Sequence, residues 1–103
     1  NYTTIEVNRN FISLIHGPLP WWGNNSLKVD DLDQLYCKMN RSHSSKHGVR
    51  ESFSLHALLK NGARMDLLTD QTDRDFVLYV EYAIEEFLGI KDRPVSGEMP
   101  KTA

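Results

Sequence analysis

Residues 72–89 constrain the fold most, because they form the one long helical pattern in the chain and follow segments that alternate like strands. Apolar residues recur there at the spacing of one helix face, which predicts an amphipathic helix with a broad stripe facing a core. We predict Thr72 as the N-cap and Gly89 as the residue that ends the helix. The predicted stripe comprises Phe76, Val77, Val80, Ala83, Ile84 and Phe87. The residues expected to lie away from it are Arg74, Glu81, Glu85 and Glu86.

Six short segments with strand-like alternation precede this helix. They span residues 3–7, 11–16, 27–29, 32–39, 51–59 and 64–69. Short connections favour antiparallel pairing, and the Asn61-Gly62 pair is typical of a tight type I′ hairpin. In the second segment the pattern leaves two alternatives open: either Phe11 and Ile15 or Ile12 and Leu14 face the core.

Two polar segments are predicted to lie outside the sheet. Residues 40–49 carry serines, histidines and a glycine, and indicate a mobile loop. Residues 91–103 have little core potential and are expected to form a flexible C-terminal tail. The single domain is therefore expected to comprise residues 1–90.

The composition is that of an ordinary globular domain. The chain has 103 residues, 40% of them hydrophobic and 25% charged, with a formal net charge of −2, which gives no general case for binding nucleic acid. Cys37 is alone, so an intramolecular disulfide is excluded and a reducing compartment is favoured. No apolar run approaches the roughly 18–20 residues that cross a bilayer. Because the chain begins at Asn1 and not at Met, we expect a fragment of a longer protein.

No grouping of residues indicates catalysis, a cofactor or a metal centre. His43 and His47 have a spacing that would suit a helix, but they fall in the predicted loop without a third ligand nearby. Cys37 shares a strand face with Leu35 and Met39 and is expected to be a buried small hydrophobe. We therefore predict a protein that is not an enzyme. The alternative is a small-ligand-binding or enzymatic α+β domain with its pocket between helix and sheet.

A basic cluster is the first candidate contact surface. Lys38, Arg41, Lys46 and Arg50 have no acidic residue between them and could contact anionic lipid or a partner protein. A solvated loop is the simpler interpretation.

Two apolar pairs are the other candidates. Trp21 and Trp22 are adjacent, so one ring could face the core while the other reaches a protein or membrane interface. Leu78 and Tyr82 lie one helical turn apart, opposite the predicted stripe, and could anchor a partner or a second copy of the chain. The simpler interpretations are cover for an open sheet edge and isolated surface residues.

The order of strands followed by a helix resembles a pleckstrin-homology-like (PH-like) domain, most of all a bacterial variety found as the soluble part of uncharacterised membrane proteins. The likeness is carried by residues 16–25, 31–38, 61–62 and 80–98. It implies an α+β, mainly β fold: a bent antiparallel sheet or partial barrel of six to seven strands, capped by one C-terminal helix. A seventh strand would lie within residues 18–22 or arise from a split of residues 27–39.

The resemblance by itself implies no reaction. Together with the lack of a catalytic grouping and the apparent truncation, the order of elements favours a non-catalytic interaction module that acts through protein–protein or membrane-proximal contacts. The residues indicate no cofactor, metal or nucleic acid. The resemblance places the domain on the cytoplasmic side of the bacterial inner membrane if the upstream region is transmembrane, and otherwise in the cytoplasm.

Overall fold

The chain folds into two antiparallel sheets followed by one helix, in a computed structural model that describes residues 2–17, 25–44, 46, 48–91 and 93–100. The elements are β1 (Tyr2–Val7), β2 (Phe11–Gly17), β3 (Asn25–Lys28), β4 (Leu32–Ser44), β5 (Gly48–Leu59), β6 (Arg64–Gln71) and α1 (Arg74–Leu88), with a 3-10 turn at Val29–Asp31. The sheets have the strand orders β1-β2-β3 and β4-β5-β6. The mainly β fold with a C-terminal helix is therefore confirmed, with six strands and no closed barrel among the described residues.

The β1–β2 hairpin resolves the ambiguity in the second strand. Asn8 closes its turn, because the side-chain oxygen accepts hydrogen bonds of 2.8 Å from the backbone N–H groups of Asn10 and Phe11. Ile12 and Leu14 are buried at 0% and 2% exposure, whereas Phe11 is 41% exposed. The face with Ile12 and Leu14 is therefore the one that meets the core.

β4 and β5 form a hairpin much longer than the sequence predicts. They pair from Leu32↔Leu59 to Ser44↔Gly48, whereas β6 pairs with β5 only between Phe53 and Leu58. Residues 40–44 and 48–52 therefore project beyond the sheet as a two-stranded ribbon. The prediction of a loop is therefore wrong for residues 40–44 and 48–49, which are strand, whereas residues 45 and 47 lie outside the described part of the chain. A ribbon exposed on both faces has no apolar alternation from which it could be predicted.

The core lies where α1 covers the second sheet and meets the first. Its most buried apolar residues, at most 5% exposed, are Ile12, Leu14, Leu27, Leu32, Leu35, Cys37, Leu55, Ala57, Leu67, Val77 and Ile84. Burial of each larger aliphatic side chain contributes roughly 2 kcal/mol. A satellite of half-buried side chains, including Val80 and Leu78, packs against this cluster.

Both ends of α1 are capped, though not as predicted at the start. Asp73 is the N-cap, and its carboxylate accepts hydrogen bonds from the N–H groups of Asp75 (3.0 Å) and Phe76 (3.2 Å). The prediction of Thr72 is wrong by one residue. Gly89 ends the helix in the left-handed region at φ 70°, as predicted. No helix in the described part of the chain has the length and apolar character needed to cross a membrane.

Residues 93–100 return along the edge of β4. The Gln34 side chain accepts a 3.0 Å hydrogen bond from the Arg93 N–H, and the Met99 N–H donates one of 2.8 Å to the Cys37 carbonyl. Met99 is 6% exposed and belongs to the core cluster. The prediction of little core potential is therefore wrong for this part of the tail, because one methionine and a few backbone hydrogen bonds dock it.

Candidate functional site

The outer side of α1 carries four large aromatic side chains in contact with solvent, here called the aromatic face. Exposure is 66% for Tyr79, 59% for Tyr82, 47% for Phe87 and 45% for Phe76. At about 100° per residue they fall within a band roughly 140° wide on the helix surface. Single exposed apolar residues are common, but a row of aromatics on one helix marks a candidate binding surface.

This arrangement corrects the predicted core stripe. Phe76 and Phe87 are about half exposed, whereas Glu81 and Glu85, expected to face solvent, are 1% and 8% exposed. Beneath the helix, the Cys37 thiol donates a hydrogen bond of 3.3 Å to Glu81 Oε1, so the buried carboxylate has a polar neighbour there. The helix is therefore rotated relative to the prediction, with Val77 and Ile84 remaining inward.

A groove of about 510 Å³ adjoins the aromatic face along the C-terminal half of α1. It is lined by Leu78, Glu81, Tyr82, Glu85, Glu86, Gly89, Ile90 and Lys91. We call it the acidic groove after the three glutamates in its lining, of which Glu81 and Glu85 are buried, so that its exposed charged residues are Glu86 and Lys91. Leu78 and Tyr82, predicted as a partner anchor, thus meet at one concave surface. The expectation that Leu78 lies opposite the core is wrong, since it packs partly against the core cluster.

Two polar contacts lie at the edges of the aromatic face. A hydrogen bond from the Tyr82 hydroxyl to the Glu86 carboxylate, together with the negative charge of Glu86, raises the pKa of Tyr82 above its usual value. At the far end, the Arg9 guanidinium lies over the Phe87 ring, 5.1 Å from its centroid.

The predicted basic cluster is divided between two faces of the ribbon. By strand alternation Lys38 and Arg50 project from one face and Arg41 from the other. Arg41 also pairs with Glu51 across the strands at 3.3 Å, with both side chains largely exposed. Lys46 lies in the turn at the tip of the ribbon. The four cations therefore do not converge on one anion-binding surface.

The predicted tryptophan pair and the two histidines considered as metal ligands are the remaining positions. Trp21, Trp22 and His47 lie outside the described residues. His43 lies on β4 near the tip of the ribbon. Within the ranges that the structure describes, no group of three or more His, Cys, Asp or Glu side chains is placed to hold a metal ion.

A hydrogen-bonded chain on the second sheet was missed by sequence reasoning. Ser54 Oγ lies 2.7 Å from His56 Nε2, and His56 Nδ1 lies 2.8 Å from Asp66 Oδ1. Asn40 Nδ2 donates to Ser54 Oγ at 3.1 Å, and the Tyr36 ring stacks on His56 at a centroid distance of 5.1 Å.

This Ser–His–Asp order matches that of a catalytic triad, but the serine is buried and the aspartate is exposed, which is the reverse of a triad. Ser54 is 2% exposed, whereas the Asp66 side chain is 70% exposed. A nucleophile has to reach its substrate, and the acid that orients the base is normally the sheltered group. The chain of hydrogen bonds therefore fits a structural role, which satisfies polar groups that the sheet buries.

No protein family, no curated protein and no solved structure matches the chain. Its function is therefore inferred from its own side chains. The aromatic face and the acidic groove share Tyr82 and form one continuous surface along α1.

Proposed function

We propose that the chain is a non-catalytic interaction module that binds another protein through the aromatic face of α1. The observation that carries this proposal is the row of four aromatic side chains, each 45–66% exposed. Covering one such ring removes roughly 100 Å² of apolar surface from water, equivalent to about 2.5 kcal/mol before the costs of association. Tyrosine is also among the residues that most often dominate binding energy at interfaces.

We also propose that the chain is related to PH-like domains. Two antiparallel three-stranded sheets followed by one helix support it. Attachment to a bacterial membrane rests on the resemblance alone. The division of Lys38, Arg41 and Arg50 between two ribbon faces gives little support to a lipid head-group site, so a protein partner is favoured over a membrane surface.

The packing beneath α1 favours an interaction module over the alternative of a ligand or catalytic pocket between helix and sheet. Val77 and Ile84 of the helix are 0% and 4% exposed, and they face a cluster with Leu35 and Leu55 at 0%. Side chains packed this closely leave little space for a ligand directly beneath these residues, and the acidic groove lies at the side of the helix instead.

Photo-crosslinking in the cells that naturally make the protein tests the proposal. Benzoylphenylalanine replaces Tyr79 in one variant and Val49, an equally apolar ribbon residue with 58% exposure, in the control. We expect one discrete adduct from position 79 that disappears when Phe76 and Tyr82 are also replaced by serine, and no such adduct from position 49. Equal crosslinking at both positions, or none at position 79, would refute the proposal.

A further inference from the structure

We propose that residues 39–43, on the outer edge of β4, bind an extended acidic segment of another protein, which adds to the ribbon as a third strand. This edge is separate from α1, so the site goes beyond the proposed function. Three observations carry it: unpaired backbone groups along the edge, a local excess of positive charge, and the position of the cations on both faces of the ribbon.

The outer edge of β4 has no neighbouring strand among the described residues, because β4 ends the second sheet. The Cys37 carbonyl points to this edge, where it accepts a 2.8 Å hydrogen bond from the Met99 N–H of the returning tail. Backbone groups alternate sides along an antiparallel strand, and β4 pairs without a register shift from residue 34 onward. The N–H and C=O groups of Met39, Arg41 and His43 therefore point outward too, and within the described ranges they have no backbone partner.

This row of backbone groups is matched in register by another extended chain. It offers three donors and three acceptors at the two-residue period of a strand. Sheets commonly protect such an edge with a proline, a bulge or a very short strand. Residues 39–43 contain no proline and no shift in pairing, and they belong to a strand of 13 residues. Charged side chains are therefore the protection that this edge has, and they also select what can pair with it.

The ribbon and its base, residues 38–54, form a positive part of the chain. They carry the cations Lys38, Arg41, Lys46 and Arg50 and the single carboxylate Glu51, for a net charge of +3. The whole chain has a net charge of −2, so the remaining residues carry −5. Glu51 lies on β5 and pairs with Arg41 through largely exposed side chains, a weak kind of ion pair. Beside β4 an added strand therefore meets Lys38 and Arg41, and charge complementarity favours acidic residues in it.

The division of the cations between two faces suits a strand, although it does not suit a flat anion-binding site. Successive side chains of an added strand lie on opposite faces of the sheet that it joins. A carboxylate opposite Arg41 lies on one face, and a carboxylate opposite Asn40 lies on the other, diagonal to Lys38. The partner segment should therefore carry acidic residues at adjacent positions, so that each face receives one.

A second copy of the chain and a nucleic acid both fit this edge less well. Two β4 edges would bring Lys38 and Arg41 of each copy together, and like charges opposed across strands destabilise a sheet. A phosphate backbone offers no donors to the outward carbonyls, and the charge of −5 on the remaining residues repels a polyanion.

Fluorescence anisotropy with designed peptides tests the edge. The probe is a labelled peptide of about nine residues, roughly 30 Å when extended, built from threonine and valine with a central pair of adjacent glutamates. One matched peptide has lysines in place of the glutamates. Another keeps the glutamates and carries N-methyl groups on its central residues, which remove backbone donors at unchanged charge.

Two kinds of protein variant test the charge and the backbone separately. The double variant Arg41→Glu with Glu51→Arg inverts the charge beside the edge, while it keeps the cross-strand pair and the net charge of the chain. His43→Pro removes one outward N–H and leaves the hydrogen bonds to β5 in place. His43→Ser is its control, because it removes the same ring and keeps the N–H.

We expect the glutamate peptide to bind at low salt at least about tenfold more tightly than either matched peptide, and more weakly as salt is added. The charge-swapped variant should bind it about tenfold more weakly and bind the lysine peptide better. His43→Pro should weaken binding about fivefold and His43→Ser by no more than about twofold. Amide exchange followed by NMR should slow at Met39, Arg41 and His43 when the glutamate peptide binds. Circular dichroism of each variant confirms that it is folded.

Five results would overturn the inference. Equal binding of the glutamate and lysine peptides would reject the acidic partner, and equal binding of the N-methylated peptide would reject the added strand. Absence of binding by the glutamate peptide would reject both. Tighter binding of a duplex DNA fragment, lost in the charge-swapped variant, would identify nucleic acid as the partner. Dimerisation in sedimentation velocity that His43→Pro abolishes would identify a second copy.

None of these results bears on the proposed function of α1. A crosslink made through the β4 edge would persist when Phe76 and Tyr82 are replaced by serine, whereas the adduct expected from position 79 would disappear. The two surfaces can therefore fail independently.

Discussion

The two sides of α1 reverse the pattern of an ordinary surface helix. Its inner side buries Glu81 and Glu85 at 1% and 8% exposure, while its outer side leaves Tyr79 and Tyr82 66% and 59% exposed. Surface helices normally turn charged residues outward and aromatic ones inward. Burying carboxylates is costly even when they are hydrogen-bonded, and exposed rings forgo hydrophobic stabilisation. The difference teaches that the outer side of α1 is not arranged for the stability of this domain, which supports the proposal that it is a binding surface.

The first prediction has the largest expected effect and compares the same new charge on the two sides of the helix. Val77→Asp puts a carboxylate at a position with 0% exposure, and we expect it to cost more than about 4 kcal/mol and to abolish the cooperative urea transition. Tyr79→Asp, two residues on, should change the free energy of unfolding by no more than about 0.5 kcal/mol. Similar losses in the two variants would show that the outer side is covered within the folded chain.

The sequence predicts the presence of this helix, but not its rotation. Capping at Gly89 and the inward positions of Val77 and Ile84 follow from local patterns. The observed rotation brings Glu81 against the Cys37 thiol, a contact distant in sequence that no local pattern contains. A hydrophobic pattern ranks Phe87 above Glu81 for burial, so it selects the wrong face. The acidic groove was unpredictable for the same reason.

The second prediction concerns Asp73, which caps the start of α1. Asp73→Ala removes the carboxylate that accepts from the N–H groups of Asp75 and Phe76, and should lower the free energy of unfolding by about 1 kcal/mol. Thr72→Ala is the matched control and should stay within about 0.5 kcal/mol of the wild type. Urea denaturation measures both. If Thr72→Ala lowered the free energy of unfolding more than Asp73→Ala, Thr72 would be the N-cap, as the sequence predicts.

Strand register explains why the polar network of the second sheet was also missed. A two-residue turn at Asn61-Gly62 would place Ala57 opposite Asp66. The observed pairing instead puts His56 opposite Asp66, one residue along. A shift by one residue changes which side chains meet on each face. The turn residues therefore predict a hairpin here, but they do not fix its register.

The third prediction tests whether all four aromatic rings are equally available. Phe87 differs from Tyr79 because the Arg9 guanidinium already lies over its ring. A double-mutant cycle of Arg9→Gln and Phe87→Leu should give a coupling energy of about 0.5 kcal/mol. The cycle of Arg9→Gln with Tyr79→Leu serves as the control and should give none. Equal coupling in the two cycles would mean that Arg9 acts on the whole face and not on one ring.

The smallest effect concerns the Tyr82 hydroxyl, at the boundary between the aromatic face and the acidic groove. Its hydrogen bond to Glu86, and the charge of that carboxylate, raise the pKa of Tyr82. The neutral phenol is thus favoured in the folded state, and this stabilisation is present below the ordinary tyrosine pKa of about 10 and lost as pH rises through the folded value. NMR titration of labelled tyrosine rings should show that Glu86→Gln lowers the pKa of Tyr82.

Asp75→Asn is the control for this titration, because it removes a charge from the same side of α1 without touching the hydroxyl, and it should move the pKa of Tyr82 less. Equal shifts in both variants would assign the effect to the general field of the helix and not to the hydrogen bond.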